Sequence, residues 1–136
     1  MSSNREGPPT RRPHPGPMSA TYLEFDLARE IDDLQREPEW ATGRNARTLV
    51  KYDDLRVVLT VLKGGGRIPG HQTAGRISIQ GLRGRIRLHA EGRTFDVLPG
   101  VLLALDREVP HDLEAVDDSA FLLTIAWPAA DRTDPE

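Results

Sequence analysis

The sequence predicts an all-β domain, and three observations carry that expectation. From Arg47 to Trp127 the chain falls into about eight short segments of alternating or β-branched residues, closely spaced as in a sandwich or barrel. Glycine punctuates most of the gaps between them. No helix-length apolar period separates the segments, which argues against a parallel α/β sheet.

Taken in order, residues 1–18 contain Gly7-Pro8-Pro9 and Arg11-Arg12-Pro13-His14-Pro15, with almost nothing to bury, so they read as a disordered tail without a role for His14. Residues 22–38 read as a short N-terminal helix. Asp26 is the expected N-cap, and Leu27, Ile31 and Leu34 recur at helical spacing. The opposite face is charged, and Pro38 is expected to stop the helix. Such a narrow apolar stripe suits a helix lying on the outside of a domain or against a partner subunit. Trp40 reads as a packing anchor, with ligand stacking as the lesser reading.

The expected β-domain spans residues 47–127. Strands are placed over 47–52, 55–63, 77–83, 85–89, 93–98, 101–105, 111–116 and 120–127. Arg85-Ile86-Arg87-Leu88-His89 and Arg93-Thr94-Phe95-Asp96-Val97 flank Glu91-Gly92, the clearest hairpin signal in the chain. Val58 and Leu62, read as an outward face of their strand, look too apolar for a lone barrel. They imply a second layer, either the other sheet or another subunit. Residues 128–136 form a short acidic tail expected to fray.

The length of 136 residues allows one domain with a real core. The chain has no cysteine, so disulfides and thiolate metal sites are excluded. Eighteen Lys and Arg against 21 Asp and Glu, well mixed, give a net charge of −3 and no basic face for nucleic acid. There is neither a membrane-length apolar run nor a secretory h-region, so the expectation is a cytoplasmic protein with no membrane or nucleic-acid partner.

Two histidines stand on turns beside apolar strands. The first lies in Gly64-Gly65-Gly66-Arg67-Ile68-Pro69-Gly70-His71-Gln72-Thr73-Ala74-Gly75. The second ends Leu98-Pro99-Gly100-Val101-Leu102-Leu103-Ala104-Leu105-Asp106-Arg107-Glu108-Val109-Pro110-His111. The glycine run has no following helix and no Lys-Ser/Thr, so it is not a phosphate loop. No nucleophile elbow and no Ser-His-Asp set can be assembled.

These stretches resemble the motifs of small single-domain cupins. The first cupin motif is a glycine, five residues, His-x-His, then a glutamate and a later glycine; here Gly65 precedes His71 by that interval, and Gly84 stands where the closing glycine belongs. The second is Pro-Gly-Asp, an apolar strand and a turn to a histidine; here it reads Pro99-Gly100-Val101, then Leu102 to Leu105, then Val109-Pro110-His111. The resemblance implies a cupin-like jelly-roll barrel with a short N-terminal helix, and a homodimer. It also implies a divalent transition metal, Zn, Fe, Mn or Ni, held by His71 and His111. Yet the family's second histidine position is Thr73, its glutamate position is Ile77, and a later ligand position is Ala115.

The candidate ligand-binding residues are therefore His71, Gln72, Thr73, Arg76 and His111, with His71 and His111 the candidate metal ligands. Two imidazoles alone make a weak site for such ions. They could equally act as general acid and base on a small ligand, or be remnants of a lost metal site. His89 alternates with Arg85 and Arg87 and reads as part of a solvated sheet face. Three functions remain open: a protein binding a small molecule in the barrel, a metal-dependent oxygenase or isomerase using His71 and His111, and a structural or regulatory module with a vestigial pocket. If Ile77 faces inward, so does Ile79, and the cavity is apolar. A barrel packed solid favours the third reading.

Overall fold

The computed structural model describes residues 16–128; the tails expected over 1–15 and 129–136, with His14, lie outside the described residues. Helix α1 covers Leu27–Leu34. Its N-cap is Asp26, whose carboxylate accepts the Arg29 N–H at 3.2 Å. The helix is shorter than the expected 22–38. Ahead of the cap the chain runs along the first strand, where the Lys51 N–H donates to the Met18 carbonyl at 2.7 Å and the Tyr52 hydroxyl to that of Ala20 at 2.6 Å. Pro38 does not end a long helix but opens a 3-10 helix, Pro38–Thr42, because a helix's first N–H needs no partner. Gly43, at φ 106°, turns the chain into the sheet.

Nine strands follow: β1 (Arg44–Lys51), β2 (Leu55–Leu62), β3 (Arg67–His71), β4 (Arg76–Arg83), β5 (Ile86–Ala90), β6 (Arg93–Val97), β7 (Leu102–Leu105), β8 (His111–Ala115) and β9 (Ser119–Ala126). They form two antiparallel sheets, ordered β1-β2-β9-β4-β7 and β3-β8-β5-β6. This is the jelly-roll arrangement. The β5–β6 hairpin has Ala90 opposite Arg93, with Glu91 at φ 54° and Gly92 at φ 72°, the two positive angles that a two-residue I′ turn requires. Strand β3 lies in what the sequence presents as a turn. Pro69 and Gly70 weaken its β signal, and its pairing with β8 shifts register between Ile68 and His71.

The barrel interior is apolar: Leu62, Ile79, Ile86, Leu88, Val97 and Phe121 are all 2% exposed or less. Each such residue contributes about 1.5–3 kcal/mol on burial. Leu59 and Val61 alternate with Leu62 and face away from the barrel, where Ile31 and Leu34 of α1 cover them. Leu62 thus lies inside the barrel and not on the outward face expected of it; the outward apolar residues of β2 are Leu59 and Val61, which the chain's own helix covers. A polar clamp fixes that helix. Arg47 of β1 reaches Glu30 at 2.9 Å and Glu37 at 2.5 Å, with all three side chains nearly buried. Asn45 donates to the Leu34 carbonyl at 2.9 Å and to Glu37 at 3.0 Å, which satisfies the helix end.

One end of the barrel is stitched shut. The Gly65 N–H donates to the Ala115 carbonyl at 2.8 Å, and the Ala115 N–H returns to that of Gly66 at 2.9 Å. The Gly64 N–H donates to the Asp118 carboxylate at 2.9 Å. Ser119, 1% exposed, accepts the Arg85 N–H at 2.9 Å and donates to the Asp117 carbonyl at 2.7 Å. The opposite end gathers the last residues of β3, β5, β7 and β9 with the first residues of β4, β6 and β8, and there the barrel opens.

Candidate functional site

The open end is organised around a cross-strand pair. His71 on β3 and His111 on β8 are Cα partners, and Ala90 of β5 completes the row on the other side of His111. The chain brings together two histidines forty positions apart because β8 returns antiparallel between β3 and β5. His111 shares the inward face of β8 with Leu113 and Ala115, all buried, while Asp112 and Glu114 face outward. Its ring is 5% exposed, and its Nδ1 lies 3.0 Å from the Val109 carbonyl oxygen. A carbonyl can only accept, so that contact assigns the proton to Nδ1 and, in the neutral ring, the lone pair to Nε2.

The wall facing His111 is apolar. Ile77 pairs with Ile125 and with Leu105 across β9, β4 and β7, and Ile77 is 5% exposed. Val109 and Trp127 pack half-buried against the same cluster. An open cleft of about 450 Å³ lies on the outer rim at this end, where Gly70, Pro110 and His111 meet His89, Arg93 and Asp112; Ile77, Val109 and Trp127 do not line it.

The remaining candidates lie on the rim loops. Gln72 donates to the Glu108 carboxylate at 3.1 Å, and the Glu108 N–H donates to the Thr73 carbonyl at 2.9 Å, so the β3–β4 and β7–β8 loops are tied together. The Thr73 hydroxyl donates to the Gly75 carbonyl at 2.9 Å. Arg76 pairs with Asp106 at 2.9 Å, both well exposed. The Arg107 backbone N–H, and after it the Arg76 guanidinium, hold the Asp106 carboxyl below the usual carboxylate range. Sequence reasoning missed the loop tie through Glu108 and the walls supplied by Val109 and Trp127. Position at a strand end was their only signal.

His89 lies on the outer face of the four-stranded sheet. Its Nδ1 meets the Thr94 hydroxyl at 2.9 Å, and its Nε2 is 3.5 Å from Glu114. Arg85 and Arg87 pair with Asp96, and Arg87 and Arg67 with Glu114, so this face balances its own charge.

The donor set does not fit a four-ligand divalent metal. The carboxylate position is Ile77, buried in the apolar cluster, and the second histidine position is Thr73, a neutral hydroxyl in place of an imidazole. Among the described residues no three His, Asp or Glu side chains come together as a metal cluster. No described helix is long and apolar enough to cross a membrane.

No protein-family profile and no curated protein sequence matches the chain. Solved structures do. A conserved protein of unknown function from Streptococcus pyogenes superposes with a TM-score of 0.67 at 24% identity, over 81% of this chain and 97% of that one. A cupin superfamily protein from Desulfitobacterium hafniense gives 0.61 at 14% identity, over 62% and 78%. A salicylate 1,2-dioxygenase from Pseudoaminobacter salicylatoxidans gives 0.60 at 19% identity, over 67% of this chain and 28% of that one. At these identities the likeness shows the fold alone: a jelly roll like that of small cupins, with one short α-helix among the described residues.

Proposed function

We propose that this cupin-fold chain binds a small, largely apolar molecule at the open end of its barrel, without a metal. The observation that supports this most is the environment of His111. It is a buried, oriented imidazole at the open end of the barrel, beside an apolar inner wall. Such a site offers apolar contact area plus one polar group that fixes a ligand's orientation, the usual composition of a small-molecule pocket. The closed half of the barrel is filled by side chains, which supports a structural or regulatory module with a vestigial pocket as a rival reading and leaves the mouth rather than the centre for a ligand. The dioxygenase among the structural neighbours keeps a metal-dependent oxygenase or isomerase in view as the second reading. The donor set here argues against it.

The test pairs thermal-shift screening of small phenols, alcohols and carboxylic acids with elemental analysis of protein purified without chelator. The expected result is one chemical class that raises the melting temperature of the wild type but not of His111→Phe, together with substoichiometric metal. A stoichiometric divalent ion that His111→Ala loses would refute the metal-free reading. A screen in which wild type and His111→Phe respond alike would refute the site.

A further inference from the structure

Strand β1 lies at one edge of the five-stranded sheet, and its pairing with β2 slips at one point. Thr48 stands opposite Val58 and Val50 opposite Val57, so Leu49 is the extra residue of a bulge. On one side of the bulge the chain's own 16–20 segment straps the strand, through the Lys51 N–H to the Met18 carbonyl and the Tyr52 hydroxyl to that of Ala20. On the other side, a cavity of about 240 Å³ lies between Arg47–Leu49, the strap as it runs on to Phe25, and Glu30 of α1. The cavity is outside the barrel, and none of its lining belongs to the mouth around His111.

Its walls divide cleanly. Leu49, buried, and Leu23 and Phe25, half-buried, supply apolar surface. The polar side carries an excess of negative charge. Arg47 is committed to Glu30 and Glu37, and Glu24 adds a third, exposed carboxylate at the lip, so one guanidinium faces three carboxylates. The nearby positive end of α1 does not reverse this balance, because the Asp26 carboxylate already accepts the Arg29 N–H there.

We propose that this cavity is a binding site for a small organic cation, a protonated amine with a short apolar body. The body packs on Leu23, Phe25 and Leu49, and the ammonium turns toward Glu24 at the lip. Apolar contact area with a few placed polar groups is the composition of a ligand site, and the surplus carboxylate charge selects the sign of the ligand. The volume lies below the roughly 300–1,000 Å³ of drug-sized pockets, which limits the ligand to a single ring or a short chain. A carboxylate ligand would meet Glu24 and Glu30, with the Arg47 guanidinium already engaged. The site stands independently of the ligand reading given for the mouth.

Benzylamine is the probe, with benzyl alcohol and benzoate as its neutral and anionic counterparts. Titrated at neutral pH into the ¹⁵N-labelled full chain, benzylamine should move the amide signals of residues 23–25 and 47–49 saturably, with a dissociation constant of about a millimolar. Benzyl alcohol should bind about two- to fivefold more weakly, and benzoate more weakly still. Glu24 is exposed, so Glu24→Gln should keep the wild-type melting curve, weaken benzylamine by about two- to fivefold and leave benzyl alcohol unchanged. Thr48→Phe fills the cavity from β1 and should abolish the saturable shifts. Shifts that fail to saturate or that centre elsewhere, benzyl alcohol or benzoate binding as tightly as benzylamine, a Glu24→Gln variant with wild-type affinity, or a folded Thr48→Phe that still binds would each overturn the proposal.

Discussion

Replacing Arg47 with methionine should cost this domain a large share of its stability. The guanidinium is 10% exposed and contacts Glu30 and Glu37, whose side chains are 12% and 8% exposed. At an effective dielectric near 20, each contact of this kind amounts to about 4 kcal/mol of Coulomb attraction, most of it offset by the desolvation of the ions. Removing only the cation leaves two carboxylates confined together, and breaking a buried ion pair in this way costs about 3–5 kcal/mol. For a domain of this length that corresponds to a fall of roughly 10–20 °C in melting temperature. Thermal and urea denaturation followed by circular dichroism would measure it. The companion variant Arg47→Met/Glu30→Gln/Glu37→Gln removes the stranded charges and should regain at least half of the loss. Arg76→Ala, which breaks an exposed pair, should change stability by less than about 1 kcal/mol. The reasoning fails if Arg47→Met melts like Arg76→Ala, or if the triple variant is no better than the single one.

Three further outcomes follow from particular contacts. Gly84→Ala should cost more than about 3 kcal/mol, because φ is +74° and a Cβ would lie 2.3 Å from the Asp118 carbonyl oxygen; Gly92→Ala, with φ +72° and open space, should cost about 1–2 kcal/mol, both read from urea midpoints. Asp106 titrates below its ordinary value in the fold, so its small contribution to stability is present at neutral pH and is lost as pH falls through the folded pKa. Carboxyl NMR titration should show Arg76→Ala moving that pKa only part of the way back, because the Arg107 N–H, the larger cause, remains. Ile77→Glu, which restores the carboxylate of the cupin motif, should unfold or strongly destabilise the chain, by more than about 4 kcal/mol, because it puts an unpaired charge into the apolar cluster; a stably folded variant with no bound ion would refute this account of the mouth.

The strands announce themselves because their inner and outer residues alternate. Arg85 to His89 reads as it folds, charged outside and apolar inside, and Glu91-Gly92 supplies the turn its register needs. Asp26 is recognisable as a cap because a short carboxylate ahead of a helical stripe satisfies the first free N–H groups. What local pattern could not reveal is anything decided by distant partners. Strand β3 is held by β8 rather than by its own residues, so Pro69 and Gly70 hid it. Leu59 and Val61 reveal that something must cover them, but not that Ile31 and Leu34 do so. At the mouth, the motif placed His71 and His111 in the chain, and their opposition on adjacent strands follows from topology. The roles of Gln72 and Thr73 were illegible because Glu108, which ties their loop down, belongs to a loop far along the chain.

Strand β9 is the last strand in chain order, and it lies between β2 and β4 at the centre of the five-stranded sheet. A nascent chain emerging from the ribosome therefore holds β2 and β4 ready, each with an unsatisfied edge, until Ser119–Ala126 clears the exit tunnel and closes both at once. Closure of this sheet therefore waits for its last described strand, and until then those two edges stay open to wrong pairing. A ribosome stalled before Ser119 would display an aggregation-prone half-barrel, whereas one stalled beyond Trp127 with enough linker to clear the tunnel would display the folded domain.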